Sequence, residues 1–224
     1  MDHVININIT NYCQSKCVAC PRTNTDLGSV HPWLNISHAP LENVKLAIRN
    51  LCSLRTMHNK LIIKLCGDYG DPMMHPDIEN IIYFAHLQPE VTNILVATNG
   101  GLRNKKFYRL LGAKYKKLSI TFGIDGTTSE MNSKYRDGVN FEKAWDNMMG
   151  FHELSTHGKC AWQYLVFSWN IEDIENAFIK AAELNLPLDV HRGNGTFGDV
   201  PEEEEEMVDN MISNLYEKYF GVTR

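Results

Sequence analysis

Long apolar runs are missing from this chain, and stretches such as residues 81–85 fall far short of the ~20 residues needed to cross a bilayer. The first ten residues have neither a basic n-region nor an apolar h-region. Neither secretion nor membrane insertion is expected, and a cytoplasmic protein is. There is also no long basic stretch, and 22 Lys+Arg against 27 Asp+Glu leave a formal net charge of -5. A chain so balanced is not built to neutralise a phosphate backbone, so no nucleic-acid partner is expected. No internal repeat and no linker divides the sequence.

What is there suits one globular domain over 1–224: 43% of the 224 residues are hydrophobic and 22% charged, enough to bury a sizeable core. Residues 4–10 alternate Ile5, Ile7 and Ile9 with Asn6 and Asn8, the period of a strand. After a polar, loop-like stretch over 22–40, Leu41, Val44, Ile48 and Leu51 recur at helical spacing, and 60–66 is a short β-rich run. The alternation continues with helices over 76–86, 104–111, 141–154 and 171–184. Strands are expected over 91–98, 118–124, 162–167 and 186–191. Six strands separated by five helices predict a parallel sheet. Six units are too few for an eight-fold barrel, so the expected fold is α/β, a partial (βα)6 TIM-like barrel over about 4–195. Pro201 and the run Glu202–Glu206 begin a short C-terminal helix over about 201–220. Carboxylates there complement the exposed amides of its first turn.

Cysteine is used unevenly. Cys13, Cys17 and Cys20 crowd into eight residues directly after the first strand, while Cys52, Cys66 and Cys160 are scattered. Random placement of six cysteines would give such a C-x3-C-x2-C triad in about 0.4% of chains of this length. The asymmetry argues for a metal site in a reducing compartment rather than a disulfide framework. Thiolates bind both iron–sulfur clusters and zinc. A zinc-binding interaction module, with a histidine such as His31 as fourth ligand, is the reading of another class. No second cluster motif is present.

The array resembles the cluster-binding loop of radical S-adenosylmethionine (SAM) enzymes, and the resemblance runs over about residues 4–195. Residues 65–72, Leu-Cys-Gly-Asp-Tyr-Gly-Asp-Pro, stand where that family has Gly-Gly-Glu-Pro. Ala97-Thr98-Asn99-Gly100 is similar to its Thr-Asn-Gly, and Gly123-Ile124-Asp125-Gly126 to its Ser-Leu-Asp-Gly. The motifs look closest to the molybdenum-cofactor and peptide-modifying branch, without the cysteine-rich SPASM extension. The resemblance implies one 4Fe-4S cluster on Cys13, Cys17 and Cys20, with SAM chelating the fourth iron, and an electron donor such as flavodoxin or ferredoxin. It further implies an unidentified substrate, either a peptide or protein side chain or a nucleotide-derived small molecule.

Gly70 permits a sharp turn at a strand end, Asp71 adds negative charge there, and Pro72 stiffens the exit. An ordinary Gly-Asp-Pro turn is the plainer alternative. Thr98 and Asn99 can reach a ribose or methionyl group, and Asp125 is a candidate ribose or substrate contact or else a local cap. Gly123 stands in place of the family's usual Ser, and Ala19 in place of the usual aromatic residue beside adenine. Val166 and Phe167 are the expected substitutes for that adenine surface. Arg136, His191 and Arg192 are carboxylate or substrate candidates, with a surface ion pair as the alternative for each. His75 is expected to begin a helix rather than to ligate metal. Tyr69 and Trp169 are expected at the mouth.

Overall fold

The computed structural model describes residues 3–24, 26, 29–54, 60–65, 69–193 and 198–223. Six strands form one parallel sheet: β1 (His3–Asn6), β4 (Leu61–Leu65), β5 (Val91–Thr98), β6 (Leu118–Gly123), β7 (Cys160–Val166) and β8 (Leu188–Arg192). Their spatial order equals their order in the chain, and each pairs with the next. The sheet curls into a half-barrel. The polar stretch holds a small antiparallel hairpin of β2 (Thr23–Asn24) and β3 (Ser29–Val30).

Period two decides which face of the sheet is covered. Leu61, Ile63 and Leu65 are fully buried while Ile62 and Lys64 between them are half-buried. Ile94, Val96, Ile120, Phe122, Trp162 and Tyr164 continue that covered face. Over it pack α1 (Leu41–Ser53), α2 (Ile78–His86), α3 (Lys105–Lys114), α5 (Phe141–Leu154) and α6 (Ile174–Glu183), each presenting an apolar stripe to one continuous core. The alternate residues face the concave side, which no helix among the described residues covers.

The expected elements are present with shifted ends. Asn104 and Asn140 cap α3 and α5 by accepting from Phe107 N and Lys143 N at 3.0 and 2.7 Å. The strand expected over 4–10 ends at Asn6, although Thr10 still bridges His38. Residues 171–184 divide into a 3-10 turn (Ile171–Asp173) and α6. One helix went unanticipated: α4 (Ser129–Tyr135), capped by Thr128, which accepts from Met131 N at 3.2 Å. The final helix, α7 (Glu202–Phe220), begins with four glutamates in its first turn, as expected. Among the described residues no helix is long and apolar enough to cross a membrane.

Candidate active site

The chain leaving β1 forms the cysteine loop at the carboxyl end of the sheet. Arg22 is buried and fastens the loop to itself, donating from Nε to Asn11 O (3.1 Å) and from Nη1 to Ser15 O (3.4 Å). Ser15 Oγ and Lys16 N both donate to Asp137 O at 2.9 Å, which ties the loop to the segment after α4. Across from it, Asp71 N donates to Tyr12 O at 2.8 Å. Gly70 lies so close that a Cβ there would sit 2.6 Å from Thr10 O and 2.7 Å from Asn11 Cα. Glycine is required at that position by the approach of two backbones.

Cys13, Cys17 and Cys20 all line one cavity of about 140 Å³. Its other walls are Gly70 and Asp71, Thr98 and Asn99 at the end of β5, Ala97, Thr121, Gly123 and Gln163 from the concave face, and the guanidinia of Arg22 and Arg136. Asn99 Nδ2 stands 3.6 Å from Cys13 Sγ and Arg136 Nη1 4.0 Å from Cys17 Sγ. Burial, and then the charge of Asp71, push the Cys13 thiol up to about 12, and burial raises Cys20 as well. On the outer side of the loop Tyr135, Phe167 and Trp169 pack against Cys17, Ala19 and Cys20. The rings of Phe167 and Trp169 stack at 4.5 Å.

Several expected site residues turn out to be scaffold. The Asp71 carboxylate accepts from Thr98 Oγ1 (2.8 and 2.9 Å), Asn99 N (2.9 Å) and Met73 N (2.9 Å). It thereby binds the turn after β4 to the end of β5, while Pro72 is buried at the start of the 3-10 turn Pro72–Met74. Asp125 is completely buried and absent from the cavity wall. One of its oxygens takes Arg136 Nε at 2.6 Å and the other Leu165 N at 2.8 Å, so the expected ribose contact is instead the holder of Arg136. Val166 belongs to the covered core, which corrects its expected place beside adenine, and Phe167 faces the cysteine loop. Arg192 and His191 realise the ion-pair alternative: Arg192 with Glu205 and Asp209, His191 with Asp189. His75 is buried, accepting from Asp77 N at Nδ1 and lying 2.8 Å from Ala39 O at Nε2; it closes the 3-10 turn, and α2 begins only at Ile78, so the expected helix start lies three residues later. Cys66, Gly67 and Asp68 lie outside the described residues.

The missing serine at Gly123 is explained by Arg136. A Cβ on Gly123 would lie 2.6 Å from Arg136 Nη2, so the guanidinium occupies the space a side chain would take. Burial opposes the charge on Arg136, but Asp125, Cys17 and Tyr135 outweigh it and raise its pKa. Arg22 was missed in the sequence because nothing about an arginine two residues past a cysteine signals that it folds back on its own loop.

Among the described residues no three His, Cys, Asp or Glu side chains gather tightly enough to hold a single ion. His31, the proposed zinc partner, stacks instead on Trp33 at 5.4 Å. Thiols that bind separate irons of a cubane stand farther apart than thiols sharing one ion, so three cysteines around one cavity fit a cluster better than a tetrahedral zinc.

A curled parallel half-barrel with a cysteine loop at the carboxyl ends of its strands defines the class: a (βα)6 half-barrel with three cysteines around one cavity. The model of the radical SAM superfamily matches residues 7–181, and the chain belongs to that superfamily. Comparison with curated proteins gives no significant match. Among solved structures, Streptococcus suis SuiB bound to S-adenosylmethionine is similar at TM-score 0.72 and 16% identity, over 96% of this chain and 48% of that one. SuiB bound to its precursor peptide SuiA is similar at TM-score 0.75 and 16% identity, over 96% and 46%. Native anSMEcpe with bound AdoMet is similar at TM-score 0.73 and 14% identity, over 99% and 62%. At these identities the likeness is one of fold. The chain spans about half the length of the SuiB structures.

Proposed function

We propose that this chain is a radical SAM enzyme in which Cys13, Cys17 and Cys20 hold one 4Fe-4S cluster and SAM binds across the ends of β4, β5 and β6. The observation that carries the reading is the convergence of all three thiols on one cavity beside a buried, ion-paired arginine. Held by Cys13, Cys17 and Cys20 and reduced by a donor such as flavodoxin or ferredoxin, the cluster would supply the one electron that cleaves the SAM sulfonium to methionine and a 5′-deoxyadenosyl group able to take hydrogen from substrate. The protein's own part is positioning and shielding.

Arg136, oriented by Asp125, supplies the charge for the SAM carboxylate. The backbone around Gly70 offers polar groups to its ammonium, and Thr98 and Asn99, locked by Asp71, fix the strand end against which the ligand lies. Asn99 and Arg136 also direct N–H groups at Cys13 and Cys17 sulfur. The aromatic cover of Tyr135, Phe167 and Trp169 keeps water from the Cys17 and Cys20 side. The substrate is a peptide or protein side chain, a reading supported by the open concave face and by the fold likeness to SuiB, whose structure with a precursor peptide shows the same architecture.

Anaerobic reconstitution tests the reading. About four irons and four sulfides per chain are expected, and dithionite with SAM should yield 5′-deoxyadenosine. One tightly held zinc without sulfide overturns it in favour of an interaction module. Transfer of deuterium into 5′-deoxyadenosine from labelled peptides is expected; transfer only from a labelled nucleotide reassigns the substrate to a small molecule.

A further inference from the structure

The concave face of the sheet carries polar side chains that the fold itself does not use. Ala97, Thr121, Gly123 and Gln163 identify that face, because all four line the cysteine cavity. Lys64 lies on it too: it is the half-buried residue between fully buried Ile63 and Leu65. It is in register with Asn6 on one side and Leu95 on the other, so Ala97 lies one strand across and two residues further on. Strand spacing and rise put those two Cα atoms roughly 8 Å apart, well within the reach of a lysine. Among the described residues the Lys64 ammonium makes no ion pair or hydrogen bond, and neither do the side chains of Thr121 and Gln163.

The other charges on this face are already committed. Lys159 Nζ donates to Asn93 Oδ1 at 2.9 Å near the amino ends of the strands, and Ser119 Oγ donates to the same oxygen. Asp189 and His191 pair at 2.7 Å on β8. At the cavity, Arg136 is engaged by Asp125. Among the described residues one uncommitted cation therefore remains on this face, with the neutral hydrogen-bonding groups of Thr121 two strands and Gln163 three strands across the sheet and a carboxylate on β8. That charge pattern matches a monoanion. A dianionic phosphate would demand a second free cation.

We propose that the concave face below the cysteine cavity is the substrate-docking face and that Lys64 anchors a carboxylate of the substrate peptide. The inference rests on the peptide reading of the proposed function and narrows it to peptides with an acidic residue near the reacting one. Thr121 and Gln163 would take the peptide's backbone groups, so that the acidic side chain sets register while the residue nearest the cavity reacts. The anchor is a positioning contact, since a charge-assisted hydrogen bond adds affinity without touching the reacting atoms.

The test uses the reconstituted, SAM-loaded protein with three acetylated and amidated pentapeptides that differ only at the central residue: Glu, Gln or phosphoserine. Calorimetry should show the Glu peptide binding about tenfold or more tightly than the Gln peptide, the size of a charge-assisted hydrogen bond. It should also protect Lys64 from reductive methylation, read by mass spectrometry on the unaltered protein. Lys64→Met should erase the Glu preference, Lys64→Arg should retain part of it, and Lys45→Met, at an exposed ion pair, should leave it intact. Equal binding or no binding of the Glu and Gln peptides, a preference that survives Lys64→Met, or a stronger hold on phosphoserine each overturns the proposal. Formation of 5′-deoxyadenosine without peptide reports separately on the cluster and SAM assignments, so failure there leaves the Lys64 result readable.

Discussion

Replacing Asp125 by Asn isolates the ion pair beneath the cavity. The Asp125 side chain is 0% exposed and that of Arg136 only 15%, with 2.6 Å between Nε and Oδ2. Asn is the same size and its amide oxygen can still accept from Leu165 N, but its NH2 then faces Arg136 Nε, so the change removes both the charge and the acceptor that hold the guanidinium. A guanidinium left in a poorly solvated site without its counter-charge costs about 3–5 kcal/mol. In a chain of 224 residues each kcal/mol moves the melting temperature by about 2–4 °C, so Asp125→Asn should lower it by about 6–20 °C. The assay is anaerobic thermal melting of the cluster-free protein followed by circular dichroism. Because the penalty comes from the stranded cation, the double variant Asp125→Asn/Arg136→Gln should melt above the single one. SAM affinity should fall in both, through the loss of an oriented Arg136. A loss below about 1 kcal/mol, the size of an exposed pair, with no recovery in the double variant, would refute the account.

Gly70→Ala places a methyl group 2.6 Å from Thr10 O, where only backbone can yield, and should cost about 1–3 kcal/mol in denaturant unfolding. An unchanged midpoint would show that the two strand ends are not pinned there. Cys17→Ala should abolish retention of reconstituted iron, whereas Cys52→Ala, on the buried face of α1, should retain it; equal iron in both variants counts against the triad. In the cluster-free protein the Cys13 thiol is held up to about 12, so it stays protonated near neutrality. Its alkylation by iodoacetamide, followed by peptide mass spectrometry, should climb roughly tenfold per pH unit from pH 7 to 10 as the thiolate fraction grows. A plateau near pH 8.5 would mean an ordinary exposed thiol.

The order of strands and helices was legible in the chain because hydrophobic period is local. Leu61, Ile63 and Leu65 alternate with less buried neighbours, and Val44, Ile48 and Cys52 fall on one face of α1. The cysteine triad was legible for the same reason, three ligands in one loop being a matter of spacing. α4 escaped because it has seven residues and buries only Asn132 and Tyr135, too little to show a period, although Thr128 and Glu130 carried a start signal.

What each polar residue does was settled in three dimensions. Asp125 and Arg136 are 11 residues apart, and nothing in that separation says that one holds the other above Cys17. The composition of residues 70–72 reads as a ligand-facing turn, yet the Asp71 carboxylate is consumed by Thr98 and Asn99 from a strand 27 and 28 residues away. A buried carboxylate must find donors wherever the fold brings them, and which donors arrive depends on the sheet's register rather than on the neighbouring sequence. Lys64 shows the converse. Its sequence neighbourhood is an ordinary strand, and only the pairing of β1, β4 and β5 puts it on the concave face, where among the described residues its ammonium has no partner.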